Sequence, residues 1–151
     1  MMREAYVSSP EARPSPLSVV GEAVTVFGAG DNGKPFEVHL QHGVAGGGPP
    51  PHHHPWDEAF YVLEGEVELL LGDTRQVLST GAFVHLPAGT VHGYCNISER
   101  ASILGIVSDP RGGELFAALD ANVKSLPDDL HKLIETSERY GVVWELPAPP
   151  A

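Results

Sequence analysis

Apolar positions in this chain come in short runs of four to eight residues, broken by glycine, proline or acidic turn residues. From Val19 onward the runs read GEAVTVFG, PFEVHLQH, EAFYVLEG, EVELLLGD, RQVL, AFVHLPAG, VHGYCN and ASILGIVS. β-Branched and aromatic residues dominate them, and their even spacing predicts an antiparallel sandwich or barrel. Alternation is clearest in Glu66-Val67-Glu68-Leu69, which puts valine and leucine on one face and both glutamates on the other. Between two of these runs Gly65 is expected to hold a tight turn, where a positive φ is needed.

After Pro110 the pattern changes period. ELFAALDANV and PDDLHKLIETSERYG both predict helices, the second with Leu130, Leu133 and Ile134 as an apolar stripe. Pro127 and the two aspartates after it suit a first turn, and Gly141 suits a C-terminal cap. Such helices are expected to pack on the outside of the β core; a lid over a pocket is the alternative. A short VVWEL segment and a Pro-rich tail close the chain. The organisation expected is an extended, Pro-rich arm over residues 1–18, a β domain over 19–108, and a helical extension with its tail over 109–151.

Composition narrows the class. With 151 residues the chain is one domain, large enough to bury a core. Nine Lys+Arg against 20 Asp+Glu give a net charge of -11, which argues against nucleic acid or an anionic membrane as partner. Cys95 is the only cysteine, so no intrachain disulfide forms and a reducing compartment fits. The first 16 residues lack the apolar core of a signal peptide, and no run is long enough to cross a bilayer. The expected location is the cytoplasm.

The candidate chemistry lies in PPPHHHPWDEAFYVLEG, residues 49–65. On a strand His52 and His54 point the same way, about 6.6 Å apart, and can converge on one ion. Glu58, Phe60 and Val62 share their parity; His53 does not, and reads as a surface residue or an outer partner of the site. A purification remnant or a low-complexity tract would also be rich in histidine, but tags lie at termini. A second segment, GAFVHLPAGTVHGYCN over residues 81–96, has a turn built on Pro87 and Gly89 that can aim His92 back toward a barrel mouth.

Together the two segments resemble the paired motifs of the cupin superfamily. Gly46, His52, His54, Glu58 and Gly65 match the first, G-x5-H-x-H-x3-E-x6-G. Gly81, Pro87, Gly89, His92 and Asn96 match the second, G-x5-P-x-G-x2-H-x3-N. The resemblance covers about residues 20–108 and implies an all-β jelly-roll (cupin) β-barrel, here with two short C-terminal helices. It also implies that His52, His54, Glu58 and His92 are ligands to one divalent transition metal ion. Three imidazoles and a carboxylate suit Fe, Mn, Ni, Co or Zn, and an octahedral shell would keep two positions open.

The stretch from Pro50 to Gly65, with the helix ending in RYGV, is similar to bacterial quercetin-dioxygenase-like single-domain cupins. That likeness implies a metal-dependent dioxygenase acting on a small aromatic or enolic substrate, with Glu58 as catalytic base. A non-oxidative cyclase, isomerase or decarboxylase, and a non-catalytic ligand-binding or sensor module, are the alternatives. Phe60, Val62, Phe83 and Tyr94 are the candidate substrate-binding residues, Tyr94 because it shares parity with His92 and carries a hydroxyl. His39, His42 and His85 are expected to be ordinary strand residues, with entry into the pocket as the alternative, and His131 to face solvent. The family also implies a homodimer, built through the N-terminal arm.

Overall fold

A computed structural model describes residues 5–27 and 35–147. The first four residues of the arm and most of the Pro-rich tail lie outside them. Eleven strands are described: β1 (Leu17–Val19), β2 (Glu22–Phe27), β3 (Glu37–Gly43), β4 (His52–His53), β5 (Glu58–Glu64), β6 (Glu66–Leu71), β7 (Thr74–Ser79), β8 (Phe83–Leu86), β9 (His92–Asn96), β10 (Ala101–Val107) and β11 (Val143–Trp144). Helices α1 (Arg111–Asn122) and α2 (Leu130–Glu138) precede the last strand.

The strands form two antiparallel sheets, ordered β1-β2-β3-β10-β5-β8 and β11-β4-β9-β6-β7. This is the jelly-roll arrangement, with the two sheets facing each other and not hydrogen-bonded into a closed cylinder among the described residues. The eight sequence runs all become strands. β1, β4 and β11 are too short to announce themselves by alternation, and they take their place by pairing with β2, β9 and β4.

Gly65 has φ +78° as expected, but its turn does not make a hairpin. β5 pairs with β10 and β8, whereas β6 pairs with β7 and β9, so Gly65 is where the chain leaves one sheet for the other. A side chain there would run into the carbonyl oxygen of Arg100. The alternation read at Glu66–Leu69 is present, with Val67 and Leu69 buried.

Inward side chains make two apolar clusters. One joins Phe60, Val62, Val67, Leu69, Leu78, Leu86, Tyr94, Ala101 and Ile103 between the sheets. The other brings Val24, Val26, Trp56 and Val107 of the β layers against Leu115, Leu119, Leu133 and Val142. The helices therefore both pack on the β domain and cover its open end. In α2 the buried face is Leu133, Thr136 and Ser137, while Leu130 is exposed, so the expected stripe is rotated. The reason is polar: Ser137 Oγ accepts a hydrogen bond from Trp144 Nε1 at 2.8 Å, which draws that face inward. Asp129 opens the helix, but its carboxylate accepts from the backbone N–H groups of Lys124 and Ser125 (2.8 and 3.1 Å), closing the turn that precedes it. Gly141 (φ +77°) sits just beyond α2, as expected.

Replacing Gly65 by alanine is expected to cost about 2 kcal/mol or more, from the left-handed backbone and the Arg100 collision combined. Urea unfolding of Gly65→Ala checks this; an unchanged midpoint would contradict the crossover role.

Candidate metal centre

The two histidine-bearing segments are distant in sequence and are brought together by backbone pairing. His52 on β4 lies directly opposite His92 on β9. The Gly89 N–H donates to the His54 carbonyl at 2.9 Å, tying the Pro87–Gly89 turn to the first segment. At the far end of β9 the Asn96 carbonyl accepts from Gly46 N–H, and Asn96 N–H donates to Gly47, both at 2.9 Å. Asp57 adds a further tie, accepting from the Ala88 N–H at 2.9 Å.

As a result His52, His54, Glu58 and His92 each offer one ligand atom, all within 4.8 Å of one another. Glu58 Oε2 lies 2.9 Å from His54 Nε2 and 3.2 Å from His92 Nε2. Each imidazole is held from behind. Nδ1 of His52, His54 and His92 lies 2.9, 2.9 and 2.8 Å from the carbonyl oxygens of Pro50, Trp56 and Thr90. A carbonyl can only accept, so Nδ1 carries the hydrogen in all three rings. In the neutral rings Nε2 then presents a lone pair; those of His54 and His92 face the Glu58 carboxylate, and the ligand atom of His52 lies within 4.8 Å of the others. Electron pairs so arranged repel unless a cation or extra protons lie among them, and a divalent metal ion fits this donor set. The 2.9 and 3.2 Å separations are also those expected of neighbouring ligands on an ion with bonds of about 2.1 Å.

The electrostatics agree. Burial opposes the charge on Glu58, but the contacts with His54 and His92 outweigh it and hold the carboxyl well below its usual range. Burial, then the neighbouring His92, pushes His52 down to about 3, keeping it neutral as a metal ligand must be. On His92 burial works against charge, yet contact with Glu58 raises the ring above its ordinary value. Two tryptophans flank the set. Trp56 stacks on His54 (centroids 4.9 Å, interplanar 14°), and Trp144 of β11 lies 4.9 Å from His52.

Beside these four residues is a cavity of about 70 Å³, far below the roughly 300–1,000 Å³ of sites for drug-sized ligands. Val24, Phe60, Leu115, Phe116 and Leu119 give it an apolar wall, and Glu22, Gln41 and Tyr94 a polar one. Of the four expected substrate contacts, Phe60 and Tyr94 line it. Val62 does not: it is fully buried in the cluster between the sheets. Phe83 does not either, and is 67% exposed. On β8 the inward parity belongs to Val84 and Leu86, so Phe83 and His85 point outward, with Phe83 opposite Tyr61. Trp56, Trp144 and the face of α1 were not legible as site residues. Glu22 and Gln41 did leave a signal, as polar residues in register with buried valines or with the interior side of their strand.

Among the other histidines, His42 is exposed. His53 is half-buried and lies 3.3 Å from Glu145, and His85 lies 3.2 Å from Asp57 on the surface. His131 is exposed as expected. His39 is different from all of these. It is fully buried on the inner face of β3, edge-on to Phe116, and neither ring nitrogen has a partner. Gly105, opposite it on β10, is the space that its ring fills. Burial lowers its pKa to about 4, with the Glu58 charge pulling weakly the other way.

Residues 37–107 match the family model described as "Cupin domain". No curated protein matches the sequence at a significant level. Solved structures do. KdgF from Halomonas sp. superimposes with a TM-score of 0.62 at 19% identity, over 70% of this chain and 94% of that one. An RmlC-like cupin from Shewanella frigidimarina gives 0.64 at 19% identity, over 76% and 99%. Oxalate oxidase in complex with the substrate analogue glycolate gives 0.56 at 23% identity, over 70% of this chain and 59% of that one. At these identities the likeness is one of fold. No helix among the described residues is long and apolar enough to cross a membrane.

Two outcomes are expected. His92→Ala removes one of the four donors, and bound transition metal should fall at least about tenfold by elemental analysis of dialysed protein; full occupancy would contradict the set. Burial lowers the pKa of His39 in the folded protein to about 4, against an ordinary value of 6.5. The unfolded chain therefore binds a proton that the folded chain refuses. The stability this ring confers is complete above pH 6.5 and is lost as pH falls toward 4. Between pH 7 and pH 5 the loss is about 2 kcal/mol, and urea melts of His39→Leu should show that share of the acid sensitivity gone.

Proposed function

We propose that this chain, whose residues 37–107 match the cupin domain family, is a metal-dependent dioxygenase of a small enolic or otherwise oxygen-rich organic molecule. The observation that carries this reading is the convergence of His52, His54, Glu58 and His92 at the wall of a small, roofed cavity. A bound divalent transition metal would supply Lewis acidity there and, where redox-active, a path for electrons between substrate and O2.

The residues of the chain do the rest. His52, His54 and His92 are oriented by the carbonyls of Pro50, Trp56 and Thr90, which take the Nδ1 hydrogens and leave Nε2 of each ring free to hold the ion. Glu58 lines the cavity with a carboxylate that burial alone would make more basic and the imidazoles make less so. It takes the proton of an enolic hydroxyl while the three imidazoles retain the ion, and returns it at the end of the cycle. The apolar wall of Val24, Phe60, Leu115 and Phe116 keeps bulk water from the reacting atoms.

The size of the cavity favours a compact enol or hydroxy acid over a three-ring flavonol, which narrows the quercetin-dioxygenase-like resemblance. The fold shared with oxalate oxidase supports oxygen-consuming chemistry. The test uses metal-loaded protein with a panel of small β-diketones, 2-hydroxy acids and 2-keto acids at an oxygen electrode. Substrate-dependent O2 uptake is expected, and Glu58→Gln should lower it about a hundredfold or more with metal still bound. Equal turnover without oxygen would replace this reading by a non-oxidative enzyme. Thermal stabilisation without product would replace it by a binding module.

A further inference from the structure

Opposite the apolar wall, four polar side chains from three strands form one buried network. Tyr94 Oη lies 3.2 Å from Glu22 Oε2 and in closer contact with Gln41 Oε1. Asn96 Nδ2 donates to Glu22 Oε1 at 2.7 Å and to the Val44 carbonyl at 3.3 Å. Glu22, Gln41, Tyr94 and Asn96 are all more than nine-tenths buried. Gly43 and Gly47 leave the room that Glu22 occupies, since a side chain at either would overlap its carboxylate.

Hydrogen counting limits the direction of these bonds. Tyr94 has one proton and two acceptors facing it, so it can donate to only one of them. Burial pushes the Glu22 carboxyl up, against its contacts with Tyr94 and Asn96, which pull the other way. With Glu22 protonated, its hydroxyl donates to Tyr94 Oη and the phenol proton goes to Gln41 Oε1. Asn96 Oδ1 is then left without a partner in the network, and so is Gln41 Nε2. That atom is not sealed in protein: among the described residues only the ring nitrogens of His39 are enclosed without a partner. Gln41 lines the cavity, so its amide N–H groups are open to whatever occupies it.

We propose that Gln41 is a ligand-recognition residue, its side-chain amide donating to a carbonyl or carboxylate oxygen of the bound molecule other than those held at the His52–His54–Glu58–His92 cluster. Tyr94 and Glu22 are positioning residues that fix the amide in this orientation. The assignment rests on reading that cluster as a metal centre. It selects a ligand class: compact molecules of a few heavy atoms with oxygen functions at both ends, one for the ion and one for Gln41. A molecule whose second end is a hydrogen-bond donor would face N–H against N–H and be rejected.

Cobalt(II)-loaded protein tests this, because the visible band of the ion reports any acid that reaches it. Malonate, with a carboxylate at each end, is the probe, and acetate, with one, is the control. Wild-type protein should bind malonate more tightly than acetate. Gln41→Leu should weaken malonate about tenfold, the worth of one hydrogen bond to a charged oxygen, and leave acetate unchanged. Gln41→Glu keeps the shape and reverses the polarity, so it should reject malonate and favour β-alanine, whose far end is an ammonium. A general structural role for Gln41 would not move that preference. Malonate binding unaltered in both variants, or acetate and malonate weakened together, would overturn the proposal. Failure of wild-type protein to take up cobalt would instead defeat the metal reading, and this assignment with it.

Discussion

Three backbone carbonyls decide what this protein can do. Those of Pro50, Trp56 and Thr90 each take the Nδ1 hydrogen of a buried histidine, and so leave three Nε2 lone pairs gathered in one cluster with the Glu58 carboxylate. No arrangement of neutral groups is comfortable with that convergence. Most of the surrounding structure can be understood as keeping it in place: the β4–β9 pairing that sets His52 against His92, the Gly89–His54 hydrogen bond, and the tryptophans that close the imidazoles in from both sides.

The interior is correspondingly divided by chemistry. One wall is apolar and partly helical, one carries the converging ligands, and one carries the Glu22–Tyr94–Gln41–Asn96 network. Polar groups so deeply buried are costly unless paired, and pairing accounts for all of that network but Gln41 Nε2 and Asn96 Oδ1. His39 is the other exception. Its unpaired ring survives because burial keeps it neutral and because Gly105 gives it a flat bed.

Much of this was legible beforehand, and for identifiable reasons. Parity along a strand placed His52, His54 and Glu58 together, and the glycine and proline spacing identified His92 as their distant partner. Parity was also what should have excluded Phe83, since the inward residues of its strand are Val84 and Leu86. The turn expected at Gly65 is present, but a positive φ fixes a bend without saying which sheet the chain enters next. Trp144 and the α1 residues could not be read at all. Their place depends on how the C-terminal segment folds back over the barrel, and neither period nor motif encodes that.

That folding back has a consequence for how the protein can change. The ligands come from residues 52–92, whereas the ceiling of the chamber, Leu115, Phe116, Leu119, Val142 and Trp144, comes from the last third of the chain. Reactivity and size limit thus reside in separate stretches of sequence. Trimming or bulking the ceiling alters which molecules are admitted while the coordinating set stays as it was, so relatives could diverge in diet without relearning their chemistry.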